Sequence, residues 1–252
     1  FLSALAMFIA VSVTFINVIN PILVLVGIGI GAIIGSLIAL KVKMTSIPEM
    51  VALFNGFGGL ATFFIAWSEF NSIPSNNFQY LLVMITTYIG GVTFSGSVIA
   101  YGKLSETLKV EKSSIITKLF TTLFYISIIY LLYSIFITKI FSPGFDFYTI
   151  LLILTLLGGV GFVIPIGGGD MPVVISLLNS FSGIAAAFAG LLLLNNVLIV
   201  AGSLVGASGL ILTIIMAKAM NRSIGNILFV GYASSASASK SEETGEVKPI
   251  NV

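Results

Sequence analysis

The chain has 252 residues, of which 58% are hydrophobic and 8% charged, with a formal net charge of +2. A soluble domain carries about 25% charged residues, so these charges are too few to cover a water-soluble globule of this size. Cysteine and histidine are both missing, which excludes a disulfide framework, zinc, haem and thiolate sites, and serine–histidine or cysteine–histidine hydrolases.

A helix crossing the hydrocarbon layer needs about 20 mostly apolar residues. Eight stretches qualify: residues 2–19, 22–40, 48–67, 78–101, 118–137, 147–166, 171–194 and 197–220. The expected fold is therefore all-α, a polytopic transmembrane helical bundle of about eight spans. The first stretch opens at Phe1 rather than Met, so the chain reads as processed, trimmed or a fragment. It has no basic n-region and no A-x-A site, so it is not read as a signal peptide. Asn20-Pro21 and Asn195-Asn196 are very short links and predict tight helical hairpins.

The loops carry the orientation signal. With eight spans, every basic residue except Lys139 falls on one face: the Lys41/Lys43 loop, the Lys103–Lys118 segment and the tail from Lys218. The positive-inside rule makes that face the cytoplasm, or the matrix of a mitochondrion, with both termini on it. Seven or nine spans would spoil the asymmetry. The mixed-sign Lys103–Lys118 segment reads as a solvated loop. From about Ser223 the composition turns to Ser, Ala, Glu and Thr, which is linker chemistry. This divides the chain into a membrane domain, residues 1–222, and a flexible linker, residues 223–252.

No charged residue lies near the centre of a span. Glu49 and Asp170 stand at the inner ends of the third and seventh spans. The polar groups within the spans are Asn55 and Asn179, with hydroxyls around them. Ser176, Asn179 and Gly183 follow i, i+3, i+7 and share a helix face. In the fourth span Thr87, Gly91 and Ser95 form one stripe, and Thr93 and Ser97 an adjoining one. Gly202, Gly206, Gly209 and Thr213 follow a face of the last span. One reading is a narrow hydrated path between the third, fourth, seventh and eighth spans, in which amides and hydroxyls order water. The other is close helix packing through small residues, with amides bonded across helices. For Gly27, Gly31 and Gly35 packing is the reading adopted.

Gly167-Gly168-Gly169-Asp170-Met171-Pro172 permits an irregular backbone at the inner surface, with Asp170 as N-cap and Pro172 in the first turn. Arg222 closes the last span, as an interfacial anchor or a contact to a soluble domain. Gly27-Ile-Gly29-Ile-Gly31 is not a dinucleotide fingerprint, because it lies inside a transmembrane run with no preceding strand.

Four segments carry a family resemblance: Met44-Thr-Ser-Ile-Pro-Glu-Met-Val-Ala-Leu-Phe-Asn55-Gly, Gly91-Val-Thr-Phe-Ser-Gly-Ser-Val-Ile-Ala-Tyr-Gly-Lys103-Leu, Gly168-Gly-Asp170-Met-Pro-Val-Val-Ile-Ser-Leu-Leu-Asn179-Ser-Phe-Ser-Gly and Ala217-Lys-Ala-Met-Asn-Arg222-Ser. In this order they resemble the beta subunit of proton-translocating NAD(P) transhydrogenase, in its membrane-spanning region. The resemblance implies inward proton movement coupled to hydride transfer from NADH to NADP+, in a bacterial cytoplasmic or mitochondrial inner membrane. It implies that NAD(H) binds on an alpha subunit or segment and NADP(H) on a domain following the beta membrane region, both outside this chain. A dimer of alpha–beta units in a lipid bilayer is expected, with no nucleic-acid partner.

Asn55 falls where some members have histidine and others asparagine. Asn179 and Asp170 match positions implicated in proton passage and coupling, and Arg222 matches a basic residue beside the NADP(H) domain. Taken with the polar residues read above, the expected assignment is Asn55, Ser97, Ser176 and Asn179 to the proton pathway, Asp170, Arg222 and Glu49 to coupling, and Gly202, Gly206 and Gly209 to packing or gating. Two departures accompany it: the NADP(H)-binding domain is missing, and the family's region begins with one more span. The rival readings are a secondary transporter, with a helix break at residues 158–169, and a purely structural membrane subunit.

Overall fold

The computed structural model describes residues 2–16, 21–72, 74, 76–108, 115–138 and 145–228. Among these residues the chain is all helical: α1 Leu2–Ile16, α2 Pro21–Lys41, α3 Ile47–Asn71, α4 Asn77–Leu104, α5 Ile115–Thr138, α6 Phe145–Val163, α7 Met171–Leu192, α8 Asn196–Ala219 and α9 Ile224–Leu228. Single 3-10 turns, Met44–Ser46 and Gly168–Asp170, precede α3 and α7. Helix is the form in which a segment satisfies all its own backbone groups, which lipid demands. Seven helices, α2 to α8, are long and apolar enough to cross a bilayer. The remaining expected span is α1, with 15 described residues; residues 17–20, where its hairpin was expected, lie outside the described ones.

The chain divides into two compact units between Ile47 and Pro48. Within the α1–α2 unit, a Cβ added at Gly27, Gly31 or Gly35 would meet nothing within 4 Å. Among the described residues of this unit, the close packing expected of that stripe is therefore not formed.

In the larger unit α4 is the central helix. Gly59 of α3 and Gly90 of α4 lie so close that a Cβ on either would stand 2.9 Å from the other's carbonyl oxygen. The opposite side of α4 meets α6: the Thr87 hydroxyl bonds the Tyr148 hydroxyl at 2.7 Å, and Thr155 donates to the Thr87 carbonyl at 3.4 Å. The two stripes read from the sequence thus separate by partner, Thr87-Gly91-Ser95 towards α6 and Thr93-Ser97 towards α3.

Two apolar clusters mark the two ends of this unit. One gathers Ala52, Ala100, Ile166, Met171, Ala217 and Ile227. The other gathers Phe70, Tyr80, Tyr148 and Leu192, with the Phe70 and Tyr148 rings stacked at 3.8 Å. At this second end Asn76 and Asn195 cap α4 and α8, accepting from Gln79 N at 2.9 Å and Leu198 N at 3.1 Å. The short α7–α8 link forms the tight hairpin expected.

The region 158–169, which the transporter reading would take as a helix break, is helical as far as Val163, where its glycines admit the neighbouring Ser127, Val92 and Phe120, and leaves the helix at the α6–α7 turn. After α8 comes α9, whose Ile227 is fully buried in the first cluster. Residues 229–252 lie outside the described residues.

Candidate functional site

Two polar sites emerge, one within the bundle and one at its first end. Inside, α3, α4 and α7 converge on Asn55. Its amide nitrogen donates to Ser97 Oγ at 3.1 Å, and its amide oxygen accepts from Ser182 Oγ at 2.8 Å. Gly56, one residue on, lets α3 approach closely: a Cβ there would sit 3.1 Å from Ser97 Cβ. Ser97 is fully buried, whereas Asn55, Asn179 and Ser182 are half-buried. Asn179 enters through its backbone carbonyl, which accepts from Ser182 at 2.7 Å.

Each hydroxyl and amide here can both donate and accept. The cluster can orient water and hand a hydrogen bond along, but it holds no titratable group that could store a proton at neutral pH.

Ser176 does not join this cluster. It faces α8, donating to the Gly209 carbonyl at 3.2 Å and accepting from Thr213 at 3.2 Å. Ser180 repeats the contact one turn on, donating to the Gly206 carbonyl at 2.7 Å. The α8-facing stripe of α7 is thus Ser176, Ser180 and Gly183, with Asn179 to one side. The matching stripe of α8 is Gly202, Gly206, Gly209, Thr213 and Ala217, all buried. A Cβ at Gly209 would come within 2.8 Å of Ser180 backbone atoms. The expected four-helix path therefore resolves into two features on different faces of α7: an amide–hydroxyl cluster with α3 and α4, and a glycine seam with α8.

The second site is the turn joining α6 to α7. Asp170 is almost fully buried, and its Oδ2 lies 3.7 Å from an Arg222 guanidinium nitrogen. The sequence placed Asp170 as a side-chain N-cap. It holds the N-cap position, but its backbone is helical and its side chain makes no cap hydrogen bond; the carboxylate turns to Arg222 instead. Glu49 stands half-buried in the first turn of α3, outside this ion pair.

Sequence reasoning missed two residues. Ser182 lay inside a quoted segment, three residues after Asn179, but its link to Asn55 spans 127 positions. Lys103 was assigned to a solvated loop. It belongs to α4, is half-buried, and its ammonium donates to the carbonyls of Val163 at 3.2 Å, Ile166 at 2.7 Å and Ile164.

A dinucleotide cradle needs free backbone amides at a strand-to-helix turn. Gly27, Gly29 and Gly31 lie in the interior of α2, where the amides serve the helix. Among the described residues there is no strand for such a cradle to follow.

The class of protein is clear at this point: a multi-pass helical membrane protein with an uncharged polar cluster inside its bundle and a charge-paired turn at one end. The sequence profile of the family described as NAD(P) transhydrogenase beta subunit matches residues 1–252. The NAD(P) transhydrogenase subunit beta of Rhodospirillum rubrum is 38% identical over 220 residues, covering 84% of this chain and 47% of that protein. The same figures hold for the subunit beta of Rhodospirillum rubrum strain ATCC 11170. The chain belongs to the NAD(P) transhydrogenase beta subunit family. It spans about half the length of the curated relatives it matches. Family and helices together make it a multi-pass protein of a bacterial inner or a mitochondrial membrane.

Proposed function

We propose that this chain is the membrane-spanning, proton-conducting part of an NAD(P) transhydrogenase, coupling inward proton translocation to hydride transfer from NADH to NADP+. The observation that carries this reading is the meeting of Asn55, Ser97 and Ser182 from three helices in the bundle interior. A buried amide in lipid needs partners. Here the partners are hydroxyls that can pass a hydrogen bond on, beside the half-buried Asn179. The path runs from this cluster along α7 towards Asp170 and Arg222, which transmit its state to a nucleotide domain. Ser176 and the Gly202, Gly206 and Gly209 seam set how α8 moves against α7.

The hydride chemistry resides on nucleotides held outside this chain, NAD(H) on the alpha subunit or segment and NADP(H) on a domain of its own. The working assembly is a dimer of alpha–beta units, with the basic face towards the cytoplasm or matrix. A solute transporter is not favoured, since the glycine-rich end of α6 is continuous helix rather than a midplane break.

The test uses the full-length protein with its alpha partner in sealed vesicles, following hydride transfer and vesicle acidification together. Asn55→Leu should lower proton-coupled transfer by about tenfold or more, the effect of roughly 1.4 kcal/mol on the limiting step. Asn55→His, the residue other members carry there, should retain it. Full coupled activity in the Leu variant would remove Asn55 from the path.

A further inference from the structure

The turn between α6 and α7 contains Gly167, Gly168 and Gly169, and the folded chain does not require two of them. Gly168 and Gly169 are exposed, a Cβ on either would meet nothing within 4 Å, and neither has a positive φ. What remains of glycine's character at such positions is mobility.

The segment is nevertheless held at both ends by cations from different helices. At the α7 end Arg222, just past α8, pairs with Asp170. At the α6 end Lys103 of α4 donates to the carbonyl of Val163, the last residue of α6, which also accepts from Ile166 N at 3.2 Å, and to the carbonyls of Ile164 and Ile166 just beyond it. An ammonium carries three hydrogens and can donate to several carbonyls at once. A cation at this position also faces the negative end of the α6 dipole.

The helix that supplies this clamp also supplies Ser97 to the Asn55 cluster. Ser97 and Lys103 lie about 9 Å apart along α4 at 1.5 Å per residue. A displacement of α4 that loosens the Asn55–Ser97 bond therefore pulls Lys103 from the α6 carbonyls, and the turn carrying Asp170 is then held from one side only.

We infer that Lys103 is a positioning residue for coupling: it clamps the α6 end of the Gly167–Gly169 hinge and transmits the state of the polar cluster on α4 to the Asp170–Arg222 pair. This rests on the transhydrogenase reading above, and the experiment separates the two. Lys103→Met, Lys103→Gln and Lys103→Arg are made in the full-length protein with its alpha partner, and two quantities are read. The first is hydrogen exchange of the amides of residues 164–170, Pro165 having none. The second is protons taken up per hydride transferred in sealed vesicles.

In the Met and Gln variants, exchange in residues 164–170 should quicken by about tenfold or more, as expected for loss of a hydrogen bond from a charged donor. Exchange at the α7–α8 seam should not change. Protons per hydride should fall, and Lys103→Arg should restore both quantities. A merely structural lysine would alter abundance or melting without changing the proton-to-hydride ratio. Wild-type exchange and coupling in either neutral variant overturns the inference, as does failure of all three variants, Arg included, to accumulate. Absence of proton-coupled hydride transfer in the wild-type protein would overturn the transhydrogenase reading instead, while the local exchange result would still judge the clamp.

Discussion

Ser182 carries one hydroxyl hydrogen and has two acceptors in reach, the Asn179 carbonyl at 2.7 Å and the Asn55 amide oxygen at 2.8 Å. It can point back along its own helix or across to α3, and only the second position completes the chain to Ser97. A hydrogen bond between membrane helices contributes about 0.6 kcal/mol on average, too little to decide whether the bundle folds. Ser182→Ala should therefore leave the melting temperature of the detergent-solubilised protein nearly unchanged. It should still lower proton-coupled transfer in vesicles, and Ser182→Thr, which keeps a hydroxyl, should recover most of it. A large drop in melting temperature would assign Ser182 to packing. The same magnitude explains why the residue was overlooked: a serine three positions after an asparagine has no spacing signature of its own, and its partner is on another helix.

On the scale of helices, the α7–α8 seam depends on backbone contact. A Cβ added at Gly202 would stand 2.8 Å from the Gly183 carbonyl, and one at Gly190 would stand 2.7 Å from Ile199 N. Neither obstacle is a flexible side-chain tip, so the helices must part. Gly202→Leu should cost about 1–3 kcal/mol, the usual range for overpacking, read as a lower melting temperature of the purified protein. Gly168→Ala, with open space around it, should melt like wild type. The α8 half of this seam was legible because its three glycines fall at i, i+4, i+7 and so share one helical face, even with Ala201, Ser203, Ala207 and Ser208 among them. The α7 half was not singled out by spacing. Ser176-Asn179-Gly183 and Ser176-Ser180-Gly183 both fit one helical face, and only the opposing Gly206 carbonyl selects Ser180. Likewise hydropathy located the spans, yet it could not show Lys103 turning from the loop to cap α6, because that contact joins positions 60 or more apart.

For the molecule in its membrane, the two apolar clusters of the larger unit define which loops share a side. Leu192 gathers with Phe70, Tyr80 and Tyr148, so the turns at Ser72 and Asn195 belong to one end. Ile166, Met171, Ala217 and Ile227 gather at the other, with Ser105 and Ser223 close by in sequence. All basic residues of the larger unit except Lys139 lie, in sequence, around Ser105 or Ser223, so the positive-inside rule predicts that this end faces the cytoplasm or matrix. The chain has no cysteine of its own, and single cysteines can therefore report on sidedness without background. Ser72→Cys and Asn195→Cys should react with an impermeant maleimide added outside intact cells or right-side-out vesicles. Ser105→Cys and Ser223→Cys should react only after permeabilisation. The reverse pattern would invert the orientation and place the Asp170–Arg222 pair on the outer face, away from any cytoplasmic nucleotide domain. Labelling that split either pair would contradict the packing itself, because each cluster requires its helix ends to lie on the same side.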